Sequence, residues 1–178
     1  MAHSVSNIRN YNFSSTDELL LDTNIWLSVF GPQKPGDTKS ETYSQAFSKM
    51  LAAKSSIYID VLIISEFINT YARLKWKLVA PHVKDFKFFR KSRDFKPVAQ
   101  DIAADVKRVL RHCKRVESGF EALAIDSVID VYATGDSDFN DQVLADICQR
   151  TGLALVTNDG DFKSCGCHVI TANNRLLS

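Results

Sequence analysis

Six carboxylates stand where the chain pattern lets them meet. Asp22 closes the apolar run Glu18-Leu-Leu-Leu-Asp22. Asp159 follows the run Leu153-Ala-Leu-Val-Thr157, and Asp161 lies just beyond it. Asp138 and Asp141 flank a predicted helix start at a spacing that puts both on one face. Glu66 lies in the otherwise apolar segment Val61–Ile68, where burying an unpaired carboxylate is costly. Each acid also has an ordinary role: Asp22 and Asp138 as helix caps, Asp141 beside a helix dipole, Asp159 and Asp161 in a turn, Glu66 on a polar helix edge. Together they point to one convergent site. Two carboxylates at ~4 Å repel by about 1 kcal/mol in water, and by about 4 kcal/mol at an effective dielectric of 20. Such a cluster takes up protons or binds a hard cation. With no His or Cys in these stretches, an all-oxygen ligand set suits Mg²⁺ or Mn²⁺ rather than zinc. An ion of that kind acidifies water and clamps phosphate.

The elements that must hold these acids are legible in outline. Glu18–Asp22, Ser56–Asp60, Leu153–Thr157 and His168–Thr171 read as strands; a strand covered on both faces need not alternate. Asp37 or Thr38 caps a predicted helix to Lys54, with Tyr43, Ala46, Phe47, Met50 and Leu51 at helical spacing. A second helix spans about Val61 to Leu78, with Leu62, Phe67, Ile68, Tyr71 and Leu74 on a wide buried face. Pro97 opens a third, to about Val116. Ile125 to Tyr132 is helical in part, and Phe139 to Thr151 forms a helix that Gly152 ends. Gly31–Gly36 and Gly135–Asp138 are turns or loops. Strands alternating with helices imply an α/β fold with a mainly parallel sheet. In such a sheet, ligands sit outside the carboxyl ends of the strands, where Asp22 and Asp159 fall.

The 178 residues are 45% hydrophobic and 24% charged, enough apolar material for one compact domain and too much for a disordered chain. No stretch reaches the ~18 apolar residues of a membrane helix. The polar start lacks a secretory apolar core. Residues 1–17 read as a polar lead-in, and 18–178 as a single domain. Four cysteines do not suggest a disulfide framework, so a cytoplasmic setting is expected. The net charge of +1 hides a division. Arg73–Arg115 carries 14 Lys/Arg against 4 Asp/Glu, a net of +10, while the remainder carries 8 against 17, a net of −9. A basic lobe beside an acidic site suits a polyanionic substrate.

Four motifs now stand in order: Leu20-Leu-Asp-Thr-Asn-Ile-Trp26, Ser65-Glu-Phe-Ile-Asn69, Asp138-Phe-Asn-Asp-Gln-Val-Leu-Ala-Asp146 and Leu155-Val-Thr-Asn-Asp-Gly-Asp-Phe162. In order and spacing they resemble the PIN-domain nucleases across about Leu19 to Ile170. That family includes ribonuclease toxins of toxin–antitoxin pairs and RNA-processing nucleases. The resemblance implies a three-layer α/β/α sandwich and metal-dependent endoribonuclease activity. Its four core acids map onto Asp22, Glu66, Asp141 and Asp159, with Asp161 as a frequent additional metal ligand. Asp138, Thr157 and Asn24 fall at supporting positions. Mg²⁺ or Mn²⁺ as cofactor, RNA as substrate, an antitoxin protein as partner and a homodimer are further expectations of the resemblance. The departure from the family lies between Leu74 and Ile125, longer and more basic than in compact toxins, with a basic helical insertion at about 73–116.

Within that insertion, Arg90, Lys91, Arg93 and Lys96 are candidate RNA-backbone contacts, with Phe88, Phe89 or Phe95 as stacking platforms. His82 and His112 read as surface residues or phosphate contacts, and Trp26 and Trp76 as core or interface aromatics. Cys165-Gly-Cys-His168 looks like half a metal site. Cys113 and Cys148 are isolated in sequence, so it reads better as a turn entering the last strand. Three other functions remain open: a non-enzymatic RNA-binding or assembly module on the same fold, a phosphatase with Asp22 as nucleophile, and an RNA-processing nuclease without an antitoxin. The second usually wants an acid where Asn24 stands.

Overall fold

A computed structural model describes residues 4–33, 35–135 and 137–178. Residues 1–3 of the lead-in, Lys34 of the predicted loop and Asp136 of the predicted turn lie outside them. The strands are β1 (Ser4–Asn7), β2 (Glu18–Leu21), β3 (Ser56–Ile59), β4 (Lys114–Arg115), β5 (Ala154–Val156) and β6 (His168–Thr171). They form one parallel sheet in the order β1-β6-β5-β2-β3-β4. The helices are α1 (Thr23–Phe30), α2 (Thr38–Ala52), α3 (Val61–Val79), α4 (Phe86–Lys91), α5 (Phe95–His112), α6 (Ile125–Ala133), α7 (Phe139–Thr151) and α8 (Asn174–Leu177).

The order dictates the layers. From β2 the chain steps to β3 and β4, then returns past β3 and β2 to β5 on the other side. Right-handed crossovers in opposite directions leave their helices on opposite faces. In agreement, α1 packs on α2 and α3, α3 on α5, and separately α6 on α7. The result is a three-layer α/β/α sandwich. Its core is the unbroken run Leu19, Leu20, Leu21 with Leu155, Val156, Val169 and Ile170, none of them exposed to solvent. That burial on both faces explains why these strands read as continuous apolar runs.

Several expectations change. The polar lead-in is part of the sheet: β1 pairs with β6 from Ser4↔His168 to Asn7↔Thr171, and Ile8 is buried behind it. An edge strand bonds on one side only, so it needs little apolar sequence. The third helix begins at Phe95 and stops at His112, and Lys114–Arg115 joins β3 as an edge strand instead of continuing it. Within the basic region, residues 86–91 form α4, capped by Asp85, which the sequence pattern does not separate out. In α3, Phe67 and Tyr71 are buried, but Ile68 and Leu74 are 40% and 37% exposed, as is Leu51 of α2 at 40%. Gly152 ends α7 at φ 79°, the left-handed conformation a helix C-cap favours.

Candidate active site

The sheet's topological switch lies between β2 and β5, the adjacent strands from which the chain departs in opposite directions. Asp22 follows β2 and Asp159 follows β5. The pairing Leu21↔Val156 continues into a bond from the Asp22 amide to the Val156 carbonyl (3.0 Å), so the two segments leave the sheet side by side.

Asp22 occupies the N-cap position of α1, yet its side chain makes no capping bond. Instead Oδ2 accepts from Thr157 Oγ1 at 2.7 Å and from the Asn24 side-chain amide. Asn24 Nδ2 also reaches Thr157 Oγ1 (3.1 Å), and Asn24 Oδ1 accepts the Asn158 amide (3.0 Å). Thr157 Oγ1 accepts the Asp159 amide at 2.9 Å, and Asp159 Oδ1 accepts the Asp161 amide at 3.1 Å. A buried hydroxyl thus ties the acid of one strand to the acids after the next. Asp22 and Thr157 are 5% and 0% exposed.

Asp141 joins them from the first turn of α7, whose N-cap Asp138 accepts the Asn140 amide at 2.8 Å. Carboxylate oxygens of Asp141, Asp159 and Asp161 lie within 4.8 Å of one another, a grouping able to hold a metal ion. Burial pushes the Asp141 carboxyl up to about 7, and the charges of Asp22, Asp159, Asp138 and Glu66 push the same way. Burial also raises Asp22, to about 6. There the Thr157 hydroxyl and the Thr23 amide pull down, while Glu66 and Asp159 push up. These mutual repulsions place Asp22, Asp141, Asp159 and Glu66 in one field. None of the four forms an ion pair with a Lys, Arg or His among the described residues. A divalent cation would offset that repulsion, so the donor set fits one.

Glu66 differs from the buried acid that its apolar surroundings suggest. It is exposed, on the rim of α3, where Oε2 accepts from Thr23 Oγ1 at 3.1 Å. The apolar residues around it supply a buried face elsewhere on the helix, leaving the glutamate on its polar edge.

Sequence reasoning assigned no role to Tyr43, Asn158, Asn173 or Thr23. The Tyr43 hydroxyl donates to Asn158 Oδ1 (3.0 Å) and accepts the Ala172 amide (3.0 Å). Asn173 Nδ2 bonds the Asn158 carbonyl at 2.8 Å. These bonds hold the turn that carries Asp159. Tyr43 stands among the apolar positions of α2; its one signal is that a buried tyrosine hydroxyl needs a partner.

In the basic lobe, Arg90, Lys91, Arg93 and Lys96 are exposed, and none forms an ion pair among the described residues. Phe88 is 72% exposed. Phe89 is only 1% exposed and packs against Phe86 and Phe95, so it belongs to the core and cannot stack on a base. His82 and His112 are exposed, the latter edge-on to Phe47. Trp26 is buried, and Trp76 donates to the Val83 carbonyl. The half zinc site does not assemble: His168 bonds Ser6 Oγ at 2.9 Å, and no metal-binding group among the described residues includes a cysteine. Cys148, isolated in sequence, is buried with Cys167 in the core and helps to push the Cys167 thiol up.

The family model of the PIN domain matches residues 19–166, most of the chain. The chain therefore belongs to the PIN domain family, a nuclease fold, and has the family's three-layer α/β/α sandwich. Among solved structures, the crystal structure of PAE2754 from Pyrobaculum aerophilum is similar in fold, with a TM-score of 0.51 and 18% identity. The match covers 92% of this chain and 96% of that one. No curated protein matches it. Among the described residues, no helix is long and apolar enough to cross a membrane.

Proposed function

We propose that this protein is a divalent-metal-dependent endoribonuclease that hydrolyses RNA phosphodiester bonds, acts in the cytoplasm and serves as the toxin of a toxin–antitoxin pair. The observation that carries the nuclease reading is the convergence of Asp141, Asp159 and Asp161, whose carboxylate oxygens lie within 4.8 Å of one another, with Asp22 tied to the Asp159 backbone through the Thr157 hydroxyl. Such a site stores repulsion that a cation relieves. Asp22, Asp141, Asp159 and Asp161 hold the ion, with Glu66 at the rim. When bound, Mg²⁺ or Mn²⁺ acidifies water and neutralises charge on a phosphate. The chain's own residues do the positioning. Thr157 and Asn24 fix Asp22 Oδ2, the Thr157 hydroxyl sets the Asp159 backbone, and the Thr23 hydroxyl orients Glu66. Asn24 is fully used in bridging Asp22 to Thr157 and Asn158. It offers no acid for the phosphatase chemistry.

An RNA substrate is supported by the exposed cations of α4 and its flanks, which form no ion pair among the described residues. Arg90 and Asn69 line one cavity, and Asn69 lies one helical turn beyond Glu66, so the basic face begins beside the acidic site. The same cavity, about 460 Å³, has an apolar floor that includes Ile68, Phe95 and Val106, with Arg90 and Lys107 among its lining. A small acidic inhibitor protein fits that surface, which supports the antitoxin partner. The complete acid set disfavours a non-enzymatic module.

The test is cleavage of end-labelled RNA with Mg²⁺ or Mn²⁺, with and without chelator. We expect chelator-sensitive cleavage. Asp141→Asn should fold normally and lose activity by about 10³-fold, the scale of removing one main stabilising group. Because water is the attacking group, a 2′-deoxy nucleotide at the cut site should still be cleaved. Cleavage that persists in chelator, or in Asp141→Asn, would overturn the reading.

A further inference from the structure

The turn after the acidic segment carries a chemistry that the nuclease reading does not use. Asp161 lies in the short 3₁₀ turn Gly160–Ser164, and Cys165-Gly-Cys167 follows it directly. Gly166 has φ 68°, a left-handed conformation open to glycine at little cost. A Cβ there would come within 2.8 Å of Gln149 Nε2, the group that donates to the Cys165 carbonyl and holds the turn. The reversal brings Cys165 Sγ and Cys167 Sγ to 3.0 Å.

The thiols differ in access. Cys148 and Cys167 are 0% and 2% exposed. Cys165 is half-buried and lines a cavity of about 440 Å³ that Asp141 and Asp161 also line. The cavity is open to small solutes, and its carboxylates repel anionic oxidants more than neutral ones.

We propose that Cys165 and Cys167 form a peroxide-sensitive thiol pair, a modification site in the wall of the acidic cavity. The oxidant is hydrogen peroxide, small and uncharged. The Cys165 sulfur, having lost its proton, attacks one peroxide oxygen. The O–O bond breaks, and hydroxide leaves and takes up that proton as water. Cys165 is now a sulfenic acid. The Cys167 sulfur attacks the Cys165 sulfur, the S–O bond breaks, and the departing hydroxide takes the Cys167 proton as a second water. Two thiols and one peroxide give one disulfide and two waters; the sulfurs are oxidised and the peroxide is reduced. Cys148 and burial push the Cys167 thiol up to about 12 against a downward pull from Cys165, so closure speeds up as pH rises.

The test uses the full chain, reduced, exposed to hydrogen peroxide, alkylated in denaturant and digested with trypsin. Cleavage after Lys163 and Arg175 leaves both thiols on one peptide, 164–175. We expect that peptide to be unalkylated and lighter by two hydrogens, with Cys113 and Cys148 alkylated, and dithiothreitol to restore alkylation. In Cys165→Ser, Cys167 should stay alkylatable after the same treatment. A peptide 164–175 still doubly alkylated after peroxide, or a disulfide joining Cys148 to Cys167, would overturn the assignment. The wild-type mapping needs no variant to fold, and its outcome is independent of RNA cleavage.

Discussion

Removing the charge of Asp22 should stabilise the metal-free protein, and only above acid pH. In the unfolded chain this carboxyl titrates near 3.8; in the fold it titrates near 6. A raised folded value means that the native state binds the proton more tightly. The Asp22 contribution to native stability is therefore whole below pH 3.8, falls as pH rises to about 6, and then levels off. At 1.36 kcal/mol per pKa unit the loss is about 3 kcal/mol. Asp22→Asn is neutral at every pH and can still accept the Thr157 hydroxyl. In chelator, variant and wild type should have similar stability near pH 4. The variant should gain progressively, reaching about 3 kcal/mol at pH 8, or about 6–12 °C in Tm for a chain of this size. Mg²⁺ should then raise the wild-type Tm and leave the variant's nearly unmoved. Thermal or urea unfolding from pH 4 to 8 measures this. A difference between the two proteins that is flat across that range would refute the reasoning.

Three further outcomes follow from the same structure. Thr157→Val keeps the volume but removes the hydroxyl shared by Asp22 and the Asp159 amide; Mn²⁺ affinity in a binding titration should fall by about 10–100-fold. Replacing Arg90, Lys91, Arg93 and Lys96 together with Ala should flatten the plot of log RNA affinity against log salt by about 3, at ~0.7 per single-strand phosphate contact, and an unchanged slope would remove the lobe from the footprint. Ile8→Ala should cost about 2–5 kcal/mol in urea unfolding, as for a core side chain, because Ile8 is 1% exposed behind β1.

What could be read beforehand follows burial. The central strands announce themselves because Leu19–Leu21 and Leu155–Val156 are covered on both faces, so the apolar run is unbroken. Ser4–Asn7 stays hidden because an edge strand of mostly small polar residues carries no such run, and Lys114–Arg115 because two residues carry no period at all. Asp22 and Asp159 are legible because a charge ending a buried strand is conspicuous and parallel sheets place their sites there. Glu66 shows where composition misleads: Val61–Ile68 is apolar apart from Ser65 and Glu66, yet Ile68 and Val61 are 40% and 66% exposed, and the glutamate lies on the polar helix edge, its alternative placement. The network of Asn24, Thr157, Asn158 and Tyr43 was visible only in part, since neutral polar residues follow no periodicity and their partners are set by the crossing of distant segments.

Acids from three distant segments, Asp22, Asp141 and the Asp159–Asp161 turn, must share a metal site for this chemistry. Titrating the protein with Mn²⁺ while following the paramagnetic signal of the free ion tests it most directly. Wild type should bind. Asp22→Asn, Asp141→Asn and Asp159→Asn should each lose at least about 10-fold in affinity while keeping wild-type circular dichroism. Equal Mn²⁺ affinity in wild type and all three variants would contradict the account.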